Sequence, residues 1–253
     1  MSSSAVPVQG SIAPWRRVMP ASLFLRELLV TVARPRALVL KLAIPLVLTL
    51  PLLLGHAPTF WAGMLLTTLT AMTGAVGSAI SIARARESGL LARLAVTPRS
   101  PGRSMLSWVA GSTIIDVIQL VPTLIVIFAL APVTAPGAFA LVVILIAVLF
   151  MANVLGSVVS SAGGGAGEVL IDVVVLLAPL LFFGGLFTGV PRTGWRWIAA
   201  QVDPFTYLDS AFTGALGGVA AFDARTAIVA ACLTMIASAT IIITLGRIVL
   251  RRR

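Results

Sequence analysis

Few residues in this chain could do chemistry, and their spacing decides what kind. Catalysis through a nucleophile or a general acid and base needs convergent carboxylates, His, or Ser/Lys pairs. The one histidine, His56, sits in a His56-Ala57-Pro58 turn without ligand partners. The one cysteine, Cys232, cannot close an intrachain disulfide and is too few for a zinc or iron–sulfur site. Gly163-Gly164-Gly165-Ala166-Gly167 has the look of a phosphate loop but lacks the Lys and the hydroxyl that hold phosphate and magnesium. The only lysine, Lys41, lies at the edge of an apolar run, so no nucleotide cradle forms around it. No catalytic residue, metal site or cofactor site is therefore expected in this chain.

One group remains out of place. Asp116, with Gln119 three residues on and Pro122 beyond, lies inside a long apolar segment. An ionisable side chain within hydrocarbon costs about several kcal/mol unless it is paired. Two readings are open: Asp116 pairs within the bundle or across a dimer seam, or it meets a substrate. Glu168 and Asp172, near the end of another apolar segment, are within reach of solvent or an Arg partner.

The elements that must position these residues are membrane helices. The 253 residues are 59% hydrophobic and 10% charged, with a mean hydropathy of +1.09, far from the composition of a soluble domain. Six segments approach the length needed to cross a bilayer, at about 38–54, 60–83, 105–130, 139–161, 169–186 and 227–250. The first is short and interrupted by Pro45 and Pro51. Residues 1–21 read as a flexible tail, not a signal peptide, and 22–253 as a single transmembrane domain. Over 22–36, Glu27, Thr31 and Arg34 form one polar stripe, which predicts a helix lying along the membrane surface. The competing reading is the start of the first span.

The net charge of +10 suggests nucleic acid, but the eighteen basic residues sit at hydrophobic boundaries. Six lie before the first long apolar run (Arg16, Arg17, Arg26, Arg34, Arg36 and, at the edge of the span, Lys41), five share one connection (Arg84, Arg86, Arg93, Arg99, Arg103) and four close the chain. This is the pattern that retains loops on the cytoplasmic side. With both termini inside, fifteen basic residues are cytoplasmic and three (Arg192, Arg196, Arg225) are outside. A multi-pass plasma-membrane protein that binds lipid, not nucleic acid, is the expectation.

Two connections carry more information than the spans. Arg84 to Arg103 continues the second span and then offers a short amphipathic stretch, Ser88 to Val96, stopped by Thr97-Pro98. Such a cytoplasmic helix, held between two spans, is a lever for a partner. Leu186 to Gly218 combines Pro191, Trp195, Trp197, Pro204 and Tyr207 in stretches too short to cross. It predicts an extracellular re-entrant helical hairpin between the fifth and sixth spans.

The motifs in these connections resemble a known family. Glu87-x-Gly89-x-Leu91-x-Arg93-Leu94-x-x-Thr97-Pro98 is similar to the coupling-helix signature of ABC-2 type transporter permeases. Pro179, Gly185, Pro191, Trp195 and Pro204-Phe205-Thr206-Tyr207 resemble its C-terminal pattern, and Arg26-Glu27-Leu28 fits its interfacial helix. The resemblance implies an all-α permease of six spans, with interfacial, coupling and hairpin helices attached. It implies docking of a separate ABC ATPase subunit, which binds ATP and magnesium, through Arg26, Glu27, Arg86, Glu87, Gly89, Leu91, Arg93, Leu94, Thr97 and Pro98. It also implies pairing with a second permease copy or a related permease. Small permeases of this kind are similar to bacterial drug and antibiotic exporters, which implies a hydrophobic or amphiphilic substrate. Lipid or polysaccharide precursors are the alternative cargo. A membrane-embedded enzyme lacks its convergent residues here, and an ion-driven transporter would show more buried charges and inverted repeats.

Overall fold

The computed structural model describes residues 28–29, 32–33, 35–96 and 100–251. Most of the interfacial helix expected over 22–36 lies outside them, Arg26 and Glu27 included. The described residues are helical, with no strand among them. Backbone amides in a bilayer must be satisfied within their own segment, and helices do that.

The order along the chain is α1 (Pro35–Leu54), α2 (Thr59–Glu87), α3 (Leu90–Ala95), α4 (Pro101–Leu130), α5 (Ala135–Val159), α6 (Ala166–Phe183), α7 (Trp195–Val202), α8 (Pro204–Ala215) and α9 (Ala224–Arg251). A 3-10 turn, Ser160–Ala162, extends α5. Five of these, α2, α4, α5 with its 3-10 turn, α6 and α9, are long and apolar enough to cross a membrane. The short apolar helix Leu38–Leu54 within α1 makes the sixth expected segment. The chain is an all-α membrane protein.

Prolines and caps explain where the helices start. Pro101 and Pro204 occupy first-turn positions whose amide would have no partner anyway. Thr134 accepts from Gly137 N at 3.3 Å at the head of α5, and Asp223 accepts from Thr226 N at 3.0 Å at the head of α9. Within spans, hydroxyls turn back on their own helix, as when Thr70 Oγ1 donates to the Leu66 carbonyl at 2.8 Å. This lets Thr sit in an apolar environment without an external partner.

The core is built around α5. About two-thirds (67%) of its apolar window is buried, against 22% for α6 and 17% for α9. Its neighbours are α2, α9, α8 and α4, while α1 rests mainly on α4. The α2–α5 contact is close because small residues line it: a Cβ added at Gly156 would collide with the Ala75 carbonyl. At the end of the bundle that bears α3, Gly102 at the start of α4 lies directly against Ile243 and Gly246 of α9. The outward faces of α1, α4, α6 and α9 carry exposed Val, Ile and Leu, such as Ile118 and Ile125 on α4. That is the composition expected of lipid-facing or partner-facing surface.

Candidate functional site

The region around α3 grows directly out of a membrane helix. At 29 residues α2 exceeds the roughly 20 needed to span hydrocarbon. The excess carries its charged end, Arg84 to Glu87, out of the apolar region. Ser88 N bonds back to the Arg84 carbonyl at 3.0 Å and Gly89 N to Arg86 at 2.9 Å. Gly89 then takes a left-handed φ of 70°, which reverses the chain into α3.

Apolar packing fastens α3 to the bundle. Leu91 is 3% exposed and joins a cluster with Ile82, Met105, Trp108, Phe150 and Ile242, drawn from α2, α4, α5 and α9. Leu90 and Leu94 pack partly against the same cluster. Glu87, Ser88, Ala92, Arg93 and Val96 remain exposed, Val96 at 84%. The residues expected to couple to a partner thus separate by position. Leu91 and Leu94 face the bundle, Gly89 makes the turn, and Glu87 and Arg93 point outward. Thr97 and Pro98 lie outside the described residues.

Arg86 takes a different direction. Its guanidinium donates to the carbonyl of Ser160, at the end of α5, and its Nε and Nη1 are buried without a partner among the described residues. A cation there meets the negative end of the α5 dipole. From Ser160 a chain of polar contacts enters the bundle. Ser160 Oγ donates to the Ser157 carbonyl at 2.7 Å, and Ser157 Oγ donates to Asn153 O at 2.8 Å while meeting Ser78 Oγ of α2 at 2.8 Å.

Asn153 is the inner end of that chain. It is fully buried, and its Nδ2 donates to Asp116 Oδ2 at 2.8 Å, to Thr113 Oγ1 at 3.4 Å and to the Leu149 carbonyl at 3.0 Å. Asp116 therefore has partners within the bundle. Gln119, 1% exposed, has neither amide atom bonded within the described chain, and Asn153 Oδ1 and Thr123 Oγ1 share that condition. Asn153 escaped the sequence reading, although an Asn in the most apolar segment of the chain is itself a signal.

The opposite end of the bundle holds the hairpin. Helices α7 and α8, of 8 and 12 residues, are too short to cross and meet at Asp203. Asp203 caps α8 by accepting from Phe205 N at 3.0 Å, and Thr206 Oγ1 ties α8 to the Gly184 carbonyl at 3.0 Å. Tyr207 donates to the Gln201 carbonyl at 2.6 Å, and its ring and that of Trp197 both pack on Phe222. Trp195 is 65% exposed and meets Phe183 edge-on, while Pro191 lies in the preceding loop. Arg196 bonds Thr188 Oγ1 at 2.7 Å and sits over the Phe182 ring at 5.1 Å.

Two acids in this hairpin were not singled out from the sequence. Asp203 Oδ2 and Asp209 Oδ1 are buried without a partner among the described residues. Burial pushes both carboxyls up to about 7. Asp209 packs against Gly63 of α2, where a Cβ would come within 3.1 Å of its Oδ1. Among the described residues no group of three or more His, Cys, Asp or Glu is placed to hold a metal ion.

No curated protein and no solved structure matches the chain. A protein-family match does exist. It covers residues 21–216, which takes in α1 to α8 with the α3 region and the hairpin, and stops short of α9. That match extends over most of the 253 residues, and the chain belongs to the ABC-2 type transporter family.

Proposed function

We propose that this chain is the permease subunit of an ATP-driven exporter in the bacterial plasma membrane, with α3 and both termini in the cytoplasm and the hairpin outside. The observation that carries this reading is the two-sided build of α3. Leu91 and Leu94 fasten it to four membrane helices, while Glu87, Arg93 and Val96 stay exposed. A helix packed this way transmits a push from a docked protein to the spans. A separate ABC ATPase subunit, binding ATP and magnesium, would supply that push. Its docking face includes Glu87 and Arg93 here and, on the interfacial helix, Arg26 and Glu27.

A second permease copy or a related permease completes the pathway, pairing through the exposed apolar faces of the outer helices. The cargo is a hydrophobic or amphiphilic compound of the drug or antibiotic class. Apolar spans with a buried polar centre around Asp116 and Gln119 suit a molecule that enters from the bilayer.

The reading is tested by co-expressing the chain with candidate ATP-binding subunits from the same genome and purifying the complex through the permease. The double variant Glu87→Ala, Arg93→Ala should lose the ATPase while keeping its own yield and melting temperature. Unchanged co-purification would remove α3 from the docking face. A strain overproducing both subunits should tolerate higher concentrations of at least one amphiphilic antibiotic. No gain across a broad panel would count against the drug class.

A further inference from the structure

We propose that α2 and α5 move as one rigid unit, clasped at Arg86, and so carry the displacement of α3 to the Asp116–Asn153 pair. This rests on the reading above, in which a partner pushes α3, and adds which helix receives the push. It makes Arg86 a positioning residue inside the protein, not part of the docking face.

Three observations along one seam support the unit. Near its middle the two backbones approach closely: a Cβ at Gly156 would collide with the Ala75 carbonyl, and one at Gly74 would lie 2.8 Å from the Ala152 Cβ. Tightly packed backbones leave no room for side chains to ride past one another, so sliding is opposed. Just beyond, Ser78 Oγ and Ser157 Oγ meet at 2.8 Å and bridge the helices. At the end that bears α3, Arg86 of α2 reaches the Ser160 carbonyl at the end of α5. Each joint lies between the same two helices, which run in the same direction.

A second arrangement at the receiving end is part of what we propose. Asn153 holds Asp116 of α4 through Nδ2, while its Oδ1 has no partner among the described residues. Gln119 lies one turn from Asp116 on the same side of α4 and is buried with neither amide atom bonded among the described residues. Movement of α5 along α4 can exchange the Asn153–Asp116 bond for an Asn153–Gln119 bond. That supplies the discrete alternative that coupling between distant sites requires.

The test uses the permease with its ATP-binding subunit in vesicles, in a Cys232→Ala background. Transport is measured with the compound to which overproduction confers resistance. In the Ser78→Cys, Ser157→Cys variant, a disulfide locks α2 to α5. Oxidised and reduced forms should transport within about twofold of each other, because a rigid unit does not notice the lock. Arg86→Ala should keep the ATPase bound and hydrolysing while transport per ATP falls about tenfold. Arg86→Lys should recover part of the loss, since it keeps a cation at the end of α5.

Transport that stops on oxidation and returns with reductant would show that the helices slide, and would overturn the proposal. So would an Arg86→Ala variant whose transport per ATP is unchanged, or one in which ATPase binding, hydrolysis and transport fall together. If Arg86→Ala does not accumulate, the disulfide comparison decides alone. A wild-type pair without ATP-dependent transport would sink the exporter reading and this inference with it. An active wild type with an inactive locked form would sink only the inference.

Discussion

The α3 region and the α7–α8 hairpin are both short helical inserts between membrane helices, and they are held in opposite ways. At α3 the buried contacts are leucines and the charged groups Glu87 and Arg93 are exposed. In the hairpin the charges are reversed in place: Asp203 and Asp209 are buried, while Trp195, Ile198 and Val202 form an exposed apolar face. An insert that shows charge to solvent suits a protein partner, whereas one that shows aromatic and aliphatic surface suits lipid or another apolar surface. The hairpin also has more internal fastening, since a cap, a Thr206 bond, a Tyr207 bond and a ring cluster all converge on it. One region is fastened by leucines and shows its charges, and the other is fastened by polar bonds and rings and shows apolar surface.

The comparison breaks most visibly if the hairpin proves tolerant. Phe205 is fully buried at the start of α8, so Phe205→Ala should destabilise by about 3–5 kcal/mol. A detergent-solubilised melt would show it, and a shift within error would mean the hairpin is not the fixed part. Leu91→Ala removes the main fastener of α3 and should cost about 2–4 kcal/mol. Its distinctive mark would be loss of ATPase co-purification with the hairpin still protected from protease.

Titration separates the two regions further. Both hairpin acids have folded values near 7 against an ordinary 3.8, so between those pH values the folded state binds more protons than the unfolded one. The contribution of these two groups is therefore fully present below about 3.8 and is lost as pH rises to about 7, by on the order of 4 kcal/mol for each group. Asp203→Asn keeps the cap on α8 and removes one of these protons. The melting temperature should drop from pH 5 to pH 8 in the wild type and drop less in the variant. An equal drop in both would assign the pH dependence elsewhere. The smallest effect belongs to the exposed side of α3, where Glu87→Ala should change stability by no more than about 0.5 kcal/mol. A larger loss would place Glu87 in the packing and not on a docking face.

Much of this architecture was legible in the residues because bilayers impose a coarse rule. Runs of apolar residues located the helices to within a few positions; the third segment, expected from 105, begins at Pro101. The structure extends α2 to Glu87 and shortens the expected Ser88–Val96 helix to Leu90–Ala95, with Gly89 as the hinge. Local chemistry marked those boundaries, through proline at helix starts and glycine where φ is positive. The polar centre was legible only in part. Asp116 stood out as a carboxylate in an apolar run, whereas Asn153, its partner 37 residues away, carries no charge to draw attention.

Composition and spacing alone determined that this is an all-helical membrane protein, and which connections are not simple loops. Hydrophobic runs, prolines and charge clusters act within one helical segment, so one dimension records them. Only the tertiary structure decided that Arg86 turns inward to Ser160 while Arg93 turns out, and that Leu91 is a fastener. It also decided that two hairpin acids lie buried without a cation among the described residues. Those outcomes depend on which helix stands beside which, and helix packing is settled by close contact among residues far apart in the chain.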